Sequence, residues 1–291
     1  MFSPPIAQTL TDGGLHLSHG PIDLIVKAWG RTKAVDLAYE AAKRRFETIL
    51  GTLVEELPSL RQPVSRLSGL DGPVAQRMFA ATKPFEGIFI TPMAAVAGAV
   101  ADEILSEIRK IADLTKAYVN NGGDIAVWVG PGENLQIAMV DDLQKAYLRA
   151  GAPQKAQISI NHGDKIGGIA TSGWRGRSHS LGIADAVCVL AKNAALADAT
   201  ASLIANAVDF SSDKVTRTPA SQLDPDSDLG DRLVTTCVEI LTNEEIEMSL
   251  ANGVKRAEAF CNKGLIQSAA IALAGHLKIV NNNVIAVTAR S

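Results

Sequence analysis

The sequence contains few of the residues that cross-link a chain or fill a core with rings. Its 291 residues include three cysteines, Cys188, Cys237 and Cys261, which are widely spaced and form no C-x-x-C pair. Such cysteines are typical of buried thiols in a reducing compartment. Aromatic residues make up only 4% of the chain, so we expect a core of aliphatic and small side chains.

The chain also lacks a strong excess of charge and a long apolar run. Its 28 Lys and Arg residues nearly balance 31 Asp and Glu residues, for a formal net charge of −3. This balance, without a long basic run, argues against sequence-independent binding of nucleic acid. The longest apolar run, residues 93–101, is far shorter than the roughly 20 residues that span a bilayer. No signal peptide is recognisable, so we expect a cytoplasmic protein without membrane partners.

Several common catalytic signatures are missing as well. The sequence has no G-x-x-x-x-G-K-[ST] phosphate loop, no G-x-G-x-x-G after a strand, no H-E-x-x-H and no G-x-S-x-G. These absences argue against P-loop nucleotide hydrolysis, Rossmann-type dinucleotide binding, zinc proteolysis of the usual kind and α/β-hydrolase chemistry.

Hydrophobic periodicity predicts a mixture of helices and strands. Apolar residues three and four apart indicate an amphipathic helix over residues 34–57, and a capping box indicates another helix from Thr242. Thr91 as N-cap, followed by Pro92, predicts the start of a third helix. The other predicted elements are helices over 74–81 and 194–208, strands over 22–29, 117–119, 125–129, 136–140 and 157–160, and a hairpin over 166–190.

The order of these elements favours an α+β fold over a doubly wound sheet, because strands and helices come in mixed blocks. No shift in composition marks a linker. We therefore expect a flexible lead-in over residues 1–14 and a single domain over residues 15–291. The Ala-rich stretch after Pro92 leaves room for another backbone or a flat ligand, and a homo-oligomer that packs there stays open.

Two glycine-rich turns are the best candidates for ligand contacts. In the turn Asn120–Asp124, the glycines permit positive φ and expose backbone N–H groups to an anion or a nucleotide edge, although a plain hairpin turn is an equal alternative. The segment Ile169–Ser178 combines hydroxyls, glycines and two guanidinium groups, which together suit a phosphate. The alternative for this second segment is a loop whose arginines only face water.

Three motifs occur in an order that resembles the ApbE-like superfamily, whose best-known members are flavin transferases. They are Asn121-Gly122-Gly123-Asp124-Ile125, Ile169-Ala170-Thr171-Ser172-Gly173, and Ala197-Asp198 in a small-residue helix. Longer strings are similar to one bacterial and archaeal branch of that superfamily, from about residue 15 to 270: FITPMAAVAGAVADEIL, VNNGGDIA, GIATSGWRGRSHSLGIADAV and LDPDSDLGDRLVT.

The resemblance implies an architecture related to the T-fold, with antiparallel sheets and packed helices. The transferases use FAD and magnesium to attach FMN to a protein threonine, so the implied cofactors are FAD or FMN and Mg²⁺, and the implied partner is a small nucleotide. Matching the metal-binding positions implies Mg²⁺ ligands at the Ala94 carbonyl, Asp198 and Ser202. An equal alternative for Asp198 is that it only caps the start of its own helix. The candidate nucleotide contacts are Asn121, Gly122, Gly123, Asp124, Thr171, Ser172, Gly173, Arg175 and Arg177.

Some positions differ from the transferase pattern. Thr91 and Ala97 stand where the transferases have an Asp and a Lys, and His179 is not followed by their D-P-x-T-G turn. Three functions therefore remain open for this sequence. They are a flavin-related transferase or FAD-processing enzyme, a flavin or nucleotide carrier without catalysis, and an enzyme of sulfur or homocysteine metabolism with a different ligand.

Overall fold

The computed structural model describes residues 3–138, 157–176 and 178–281. Contacts between residues divide the chain into two compact units. The first unit runs to Leu135 and also contains Ile160–Ala170 and Ala191–Ala199, whereas the second unit holds the remainder. The two units alternate along the chain, and the single domain that the sequence predicts over residues 15–291 stays a prediction.

The first unit is built on an antiparallel sheet in which most neighbours are also consecutive in the chain. Side chains alternate in burial along its strands, so that Leu24 and Val26 are fully buried and Asp23 between the inward positions is exposed. The strands are, in order, β1 (Ile6–Thr9), β2 (Leu15–His19), β3 (Ile22–Gly30), β4 (Leu114–Asn121) and β5 (Asp124–Val129). Next come a separate pair, β6 (Asn134–Ala138) and β7 (Gln157–Asn161), and then β8 (Gly168–Ser172), which lies beside β5.

Three helices of the first unit follow from its hydrophobic spacing: α1 (Thr32–Leu60), α2 (Pro73–Thr82) and α3 (Val96–Ile111). The first packs against β2 and β3, and the third against β4 and β5. Phe46 and Ile49 of α1, and Ile104 and Ile108 of α3, are fully buried and lie three or four positions apart. The core of the first unit is therefore formed by these apolar stripes against one face of the sheet.

The second unit also combines an antiparallel sheet with packed helices. Helix α6 lies against the last two strands, and its capping box at Thr242 is formed as predicted. The remaining elements, in chain order, are β9 (Ala186–Ala191), α4 (Ala194–Ala207), β10 (Val215–Pro219), α5 (Ala220–Leu223), β11 (Leu233–Val238), α6 (Asn243–Asn262), β12 (Ile266–Leu273) and β13 (His276–Val280). Of these, the end of β9 and the start of α4, up to Ala199, belong to the first unit. Strands β9, β12 and β13 are neighbours in that order, and β10 pairs with β11.

The predicted α+β class, with antiparallel sheets and packed helices, is confirmed. Two local differences stand out. Part of the predicted lead-in forms strand β1, which pairs with β2 through contacts such as Ala7 with Leu17. Helix α1 continues through Pro58 to Leu60, since a proline in the last turn removes only one intrahelical bond. Among the described residues, no helix combines the length and apolar character needed to cross a membrane.

Candidate functional site

In the first unit, helices α3 and α4 begin next to each other, and each is capped by a carboxylate from the other. Asp102 of α3 accepts hydrogen bonds from the backbone N–H groups of Ala194 (3.0 Å) and Ala195 (2.9 Å). In return, Asp198 of α4 accepts a hydrogen bond from the N–H of Gly98 (3.0 Å). The first N–H groups of a helix lack partners within it, so both carboxylates satisfy donors and oppose the positive helix ends. We call this arrangement the helix clasp.

The helix clasp depends on the close approach of two backbones. A Cβ atom at Gly98 would lie only 2.3 Å from the carbonyl oxygen of Ala194, so a larger residue requires the helices to move apart. Ala95, Ala99 and Ala195 are also buried in this region. The space left by the Ala-rich stretch is thus filled by another helix of the same chain.

One interpretation of the sequence holds that Asp198 caps its own helix, but in the structure it does not. It lies in the second turn of α4, whereas Asn193 precedes the helix and accepts a hydrogen bond from the N–H of Leu196 (2.9 Å). The capping function of Asp198 is directed to α3, at a position that is 100 residues away in sequence.

The start of α3 also differs from the prediction. Thr91 and Pro92 open a 3₁₀ turn, Pro92–Ala95, and the α-helix itself begins only at Val96. The Thr91 side chain is buried and makes no capping hydrogen bond to this turn. Ala94 therefore lies ahead of the α-helix, as a metal-binding carbonyl at this position would require. Its convergence with Asp198 and Ser202 on one ion stays a prediction.

Strands β4 and β5 are joined by a two-residue turn between Asn121 and Asp124. Gly122 has a φ of +64° and Gly123 a φ of +114°, values that a residue with a side chain adopts only with strain. The turn is therefore a hairpin turn of the predicted kind, with Asp124 at its end and partly exposed. We call it the glycine turn.

Two hydrogen bonds hold the glycine turn in place. Asn121 donates through Nδ2 to the carbonyl oxygen of Ala97 (3.1 Å), which joins the turn to the first turn of α3. The N–H of Gly123 donates to Oδ1 of Asn120 (2.8 Å). The Gly123 N–H is therefore already used. A ligand at the turn would have to contact backbone atoms other than this N–H group, although the sequence suggests the exposed N–H groups of the turn.

The helix clasp and the glycine turn bring three carboxylates within electrostatic reach of one another. Burial raises the pKa of Asp198 well above its usual value, and the negative charge of Asp124 raises it further. The N–H groups of Gly98 and Ala97 oppose this increase, and Asp102 adds a weaker repulsion. Burial likewise raises the pKa of Asp102 to about 6. Negative charge at Asp198 is thus destabilised, and either a proton or a cation would relieve it.

The described side chains do not form a complete cage for a metal ion. Among the described residues, no group of three or more His, Cys, Asp or Glu side chains is arranged to hold a metal ion. Mg²⁺, however, commonly uses one or two carboxylates and completes its shell with water and substrate phosphates. Asp198 with Asp124 therefore suits an ion that a phosphate ligand helps to hold. Ser202 follows Asp198 by one turn of α4 and is partly exposed.

The loop after β8, rich in hydroxyls and glycines, belongs to the second unit from Thr171 onward. Thr171 and Ser172 end the strand, and a Cβ atom at Gly173 would lie 2.4 Å from the carbonyl oxygen of Asp185. The loop thus folds back tightly on itself as a long hairpin. Arg177 lies outside the described residues.

Asp185 organises this loop. Its carboxylate accepts hydrogen bonds from Nε of Arg175 (2.8 Å), from Nε1 of Trp174 (3.3 Å) and from the N–H of Ala274 (2.6 Å). The Arg175 guanidinium also lies 4.8 Å from the centre of the Trp174 ring. Because the Arg175 side chain is still 56% exposed, its remaining N–H groups face solvent and can bind an anion.

Comparison with known proteins identifies the family of this chain. Residues 7–279 match the model of the family described as AbpE bacteria. The chain belongs to this family. The resemblance to the ApbE-like superfamily, inferred from the glycine turn, the Ile169–Gly173 segment and Ala197-Asp198, is thereby confirmed.

Relatives of the chain match it over about half of its length. It is 36% identical over 144 residues to UPF0280 protein MK0206 of Methanopyrus kandleri, which covers 50% of this chain and 52% of that protein. It is 34% identical over 137 residues to a UPF0280 protein of Methanothrix thermoacetophila, covering 47% and 52%. The chain thus spans about half the length of these relatives. Among solved structures, the chain is similar to the apo form of the flavinyl transferase ApbE of Pseudomonas stutzeri, with 13% identity, a TM-score of 0.47 and coverage of 98% of this chain and 97% of that chain.

The sequence analysis missed two residues, one that organises the helix clasp and one that organises the loop after β8. Asp102 is the first acid after an apolar run in an Ala-rich helix, and this context could have indicated a buried partner. Asp185 carries no comparable signal, since its three hydrogen-bond donors come from distant turns as well as from its own loop.

Proposed function

We propose that this protein binds a flavin nucleotide, FAD or FMN, together with Mg²⁺ beside the glycine turn and the helix clasp of the first unit. The observation that carries the proposal is that the buried carboxylate of Asp198 and the glycine turn, which ends at Asp124, both contact the first turn of α3. The charge of Asp124 also raises the pKa of Asp198. The flavin identity of the ligand rests on the family and on the resemblance of the motifs to the flavin transferases.

Each element of the proposed site has a distinct role. Asp198 and Asp124 would hold Mg²⁺ through their carboxylates, with the Ala94 carbonyl and the Ser202 hydroxyl as further oxygen ligands. Bound Mg²⁺ would neutralise the nucleotide phosphates and polarise the diphosphate bond. The glycines leave one side of the turn free of side chains, and Asn121 keeps the turn fixed against α3. The loop of the second unit is a separate candidate anion contact, in which Arg175 would bind phosphate through its exposed N–H groups, together with Thr171, Ser172, Gly173 and Arg177.

Two chemical outcomes follow for bound FAD. In an enzyme, water or a protein hydroxyl would attack a phosphorus of the diphosphate, and the bond to AMP would break, so that FMN is released or transferred. In a carrier, FAD would leave unchanged. Thr91 and Ala97 favour the carrier as the second candidate, because neither side chain can act as a general base at neutral pH.

Titration of the purified protein with FAD and FMN, with and without Mg²⁺, tests the proposal. We expect Mg²⁺ to tighten FAD binding by about tenfold or more, which corresponds to at least about 1.4 kcal/mol. Asp198→Asn should remove this effect of Mg²⁺, since the variant retains an acceptor for the Gly98 N–H but not the charge. The exposed residue Asp36 provides a control, and Asp36→Asn should leave the effect of Mg²⁺ on FAD binding unchanged.

The products separate the two outcomes. Chromatography after incubation with FAD and Mg²⁺ should yield equal amounts of AMP and FMN, free or protein-bound, for an enzyme, and intact FAD for a carrier. If neither flavin binds with or without Mg²⁺, the proposal is wrong.

A further inference from the structure

A groove in the first unit lies at the end of β5 that is opposite the glycine turn. Its volume is about 580 Å³, which falls within the range of small-molecule sites. One face of α3, the end of β5 at Val127–Val129, the turn after β7 and the residues before α4 form its walls. It shares Asp102 with the helix clasp but contains neither Asp124 nor Asp198.

The groove is basic. Its walls include Arg77, Arg109, Lys165 and Lys192, whereas Asp102 is its one acidic wall residue within the described chain. Both oxygens of Asp102 accept hydrogen bonds from the N–H groups that begin α4, and Arg77 is the groove cation whose charge lowers the pKa of Asp102.

Three of the four cations lack a compensating carboxylate. Arg77 donates through Nε to Glu103 (2.8 Å), so its charge is balanced. In the part of the chain that the structure describes, Lys165 and Lys192 form no ion pair, and both are exposed. Arg109 instead places its guanidinium 4.6 Å from the centre of the Trp128 ring, which leaves the edge of its N–H groups available.

The backbone adds a second observation at Lys165. This residue has a φ of +55°, in the left-handed region that residues with side chains rarely adopt. Strained conformations of this kind persist where the surrounding structure enforces them, and they are frequent at ligand sites. Lys165 lies in the turn after β7 that forms part of the groove wall.

We propose that this groove binds the phosphates of a small molecule no larger than a mononucleotide. Lys165 and Lys192 act as point charges, and Arg109 contributes a planar fork that matches phosphate geometry. Three uncompensated cations suit a diphosphate better than a single carboxylate, and Trp128 offers an apolar surface beside them. The inference is independent of the flavin proposal, because the two sets of binding residues differ.

Calorimetric titration of the full chain with pyrophosphate, ADP and adenosine, without Mg²⁺, tests the inference. We expect pyrophosphate and ADP to bind and adenosine to bind at least about tenfold more weakly, with an affinity for ADP that falls as salt is added. Tighter binding of ADP than of pyrophosphate would assign the ligand as a nucleotide, and equal binding would assign it as a simple diphosphate.

Variants locate the binding in the groove. Lys165→Gly, whose glycine accepts a positive φ, combined with Lys192→Ala should weaken ADP binding by about tenfold or more. Lys110→Ala is the control: this exposed lysine of α3 pairs with Glu107 outside the groove, so its loss should have no effect. Asp198→Asn should also leave ADP binding unchanged, even if it abolishes flavin binding.

Four results would overturn the inference. They are no binding of ADP or pyrophosphate at millimolar concentration, adenosine binding as tight as that of ADP, unchanged ADP affinity in the folded lysine double variant, and loss of ADP affinity in Asp198→Asn alone. Denaturant unfolding of each variant shows whether it is folded.

Discussion

At the scale of single residues, the first unit places its buried acids where helix N–H groups need acceptors. Asp102 and Asp198 each gain these hydrogen bonds, yet burial raises the pKa of both. Glu103, the next residue after Asp102, behaves differently. Burial by itself would raise its pKa too, but hydrogen bonds from Arg45 and Arg77 outweigh burial and the pKa of Glu103 is lowered. Neighbouring guanidinium groups thus decide which acid stays charged.

We expect the stability cost of Asp102→Asn to be larger at low pH than at neutral pH. The pKa of Asp102 is about 6 in the folded protein, against 3.8 ordinarily. Between these values the folded state holds a proton that the unfolded state has released. The free energy of unfolding of the unmodified protein therefore falls as pH rises through this interval, by up to about 3 kcal/mol. Asparagine does not titrate.

Urea unfolding of both proteins at about pH 4 and pH 7 measures this difference. Lys110→Ala, on the exposed side of the same helix, is the control, since its loss should give no such pH dependence between these values. A cost of Asp102→Asn that stays constant with pH would show that burial does not raise the pKa of Asp102.

At the scale of elements, the central feature is the contact between the starts of α3 and α4. It needs a residue without a side chain at Gly98, and it needs one acceptor from each helix. The same helix start also receives Asn121 from the β4–β5 turn. Two helices and a hairpin thus meet at one place, where the side chains of Asp102, Asp198 and Asn121 each bond to a main-chain group of another element.

We expect Gly98→Ala to destabilise the protein by about 3 kcal/mol or more, because its Cβ atom would meet the main chain at Ala194 and not a movable side chain. Gly51→Ala is the matched control. Gly51 lies at an exposed position of α1, and a Cβ atom there would have no neighbour within 4 Å, so alanine should stabilise the helix by about 0.5–1 kcal/mol. Denaturant unfolding measures the free energy of unfolding of both variants. Equal effects of Gly98→Ala and Gly51→Ala would rule out the close contact between Gly98 and Ala194.

At the scale of the whole molecule, a ligand bound at the proposed flavin site should increase the stability of the folded protein. A ligand that binds only the folded state stabilises it by about 2.7 kcal/mol at a concentration of about 100 Kd. We therefore expect FAD with Mg²⁺ to raise the Tm, and Asp198→Asn to lose most of this increase while Asp36→Asn retains it. Scanning calorimetry measures the shift. An increase in Tm with FAD that is the same without Mg²⁺ would contradict a site shared by FAD and Mg²⁺.

The sequence by itself determined those parts of the protein that depend on neighbouring residues. Helix α2, the capping box of α6 and the glycine turn are formed within a few residues of their predicted positions. The reason is that helix periodicity, capping and positive φ act between residues at most a few positions apart. Family motifs added the candidate metal ligands Asp198 and Ser202, whose common ion remains a prediction.

Only the tertiary structure decided which distant residues meet. As one alternative, Asp198 was expected to cap its own helix, but it caps a helix 100 positions earlier in the chain, and its binding of a metal stays a prediction. Strands β12 and β13 gave no predicted pattern, since β12 is buried almost throughout and lacks the alternation of a half-exposed strand. Residues Ile160–Ala170 and Ala191–Ala199 join the first unit across long intervals of sequence. Such pairings depend on the summed packing of the folded chain, and no local pattern encodes them.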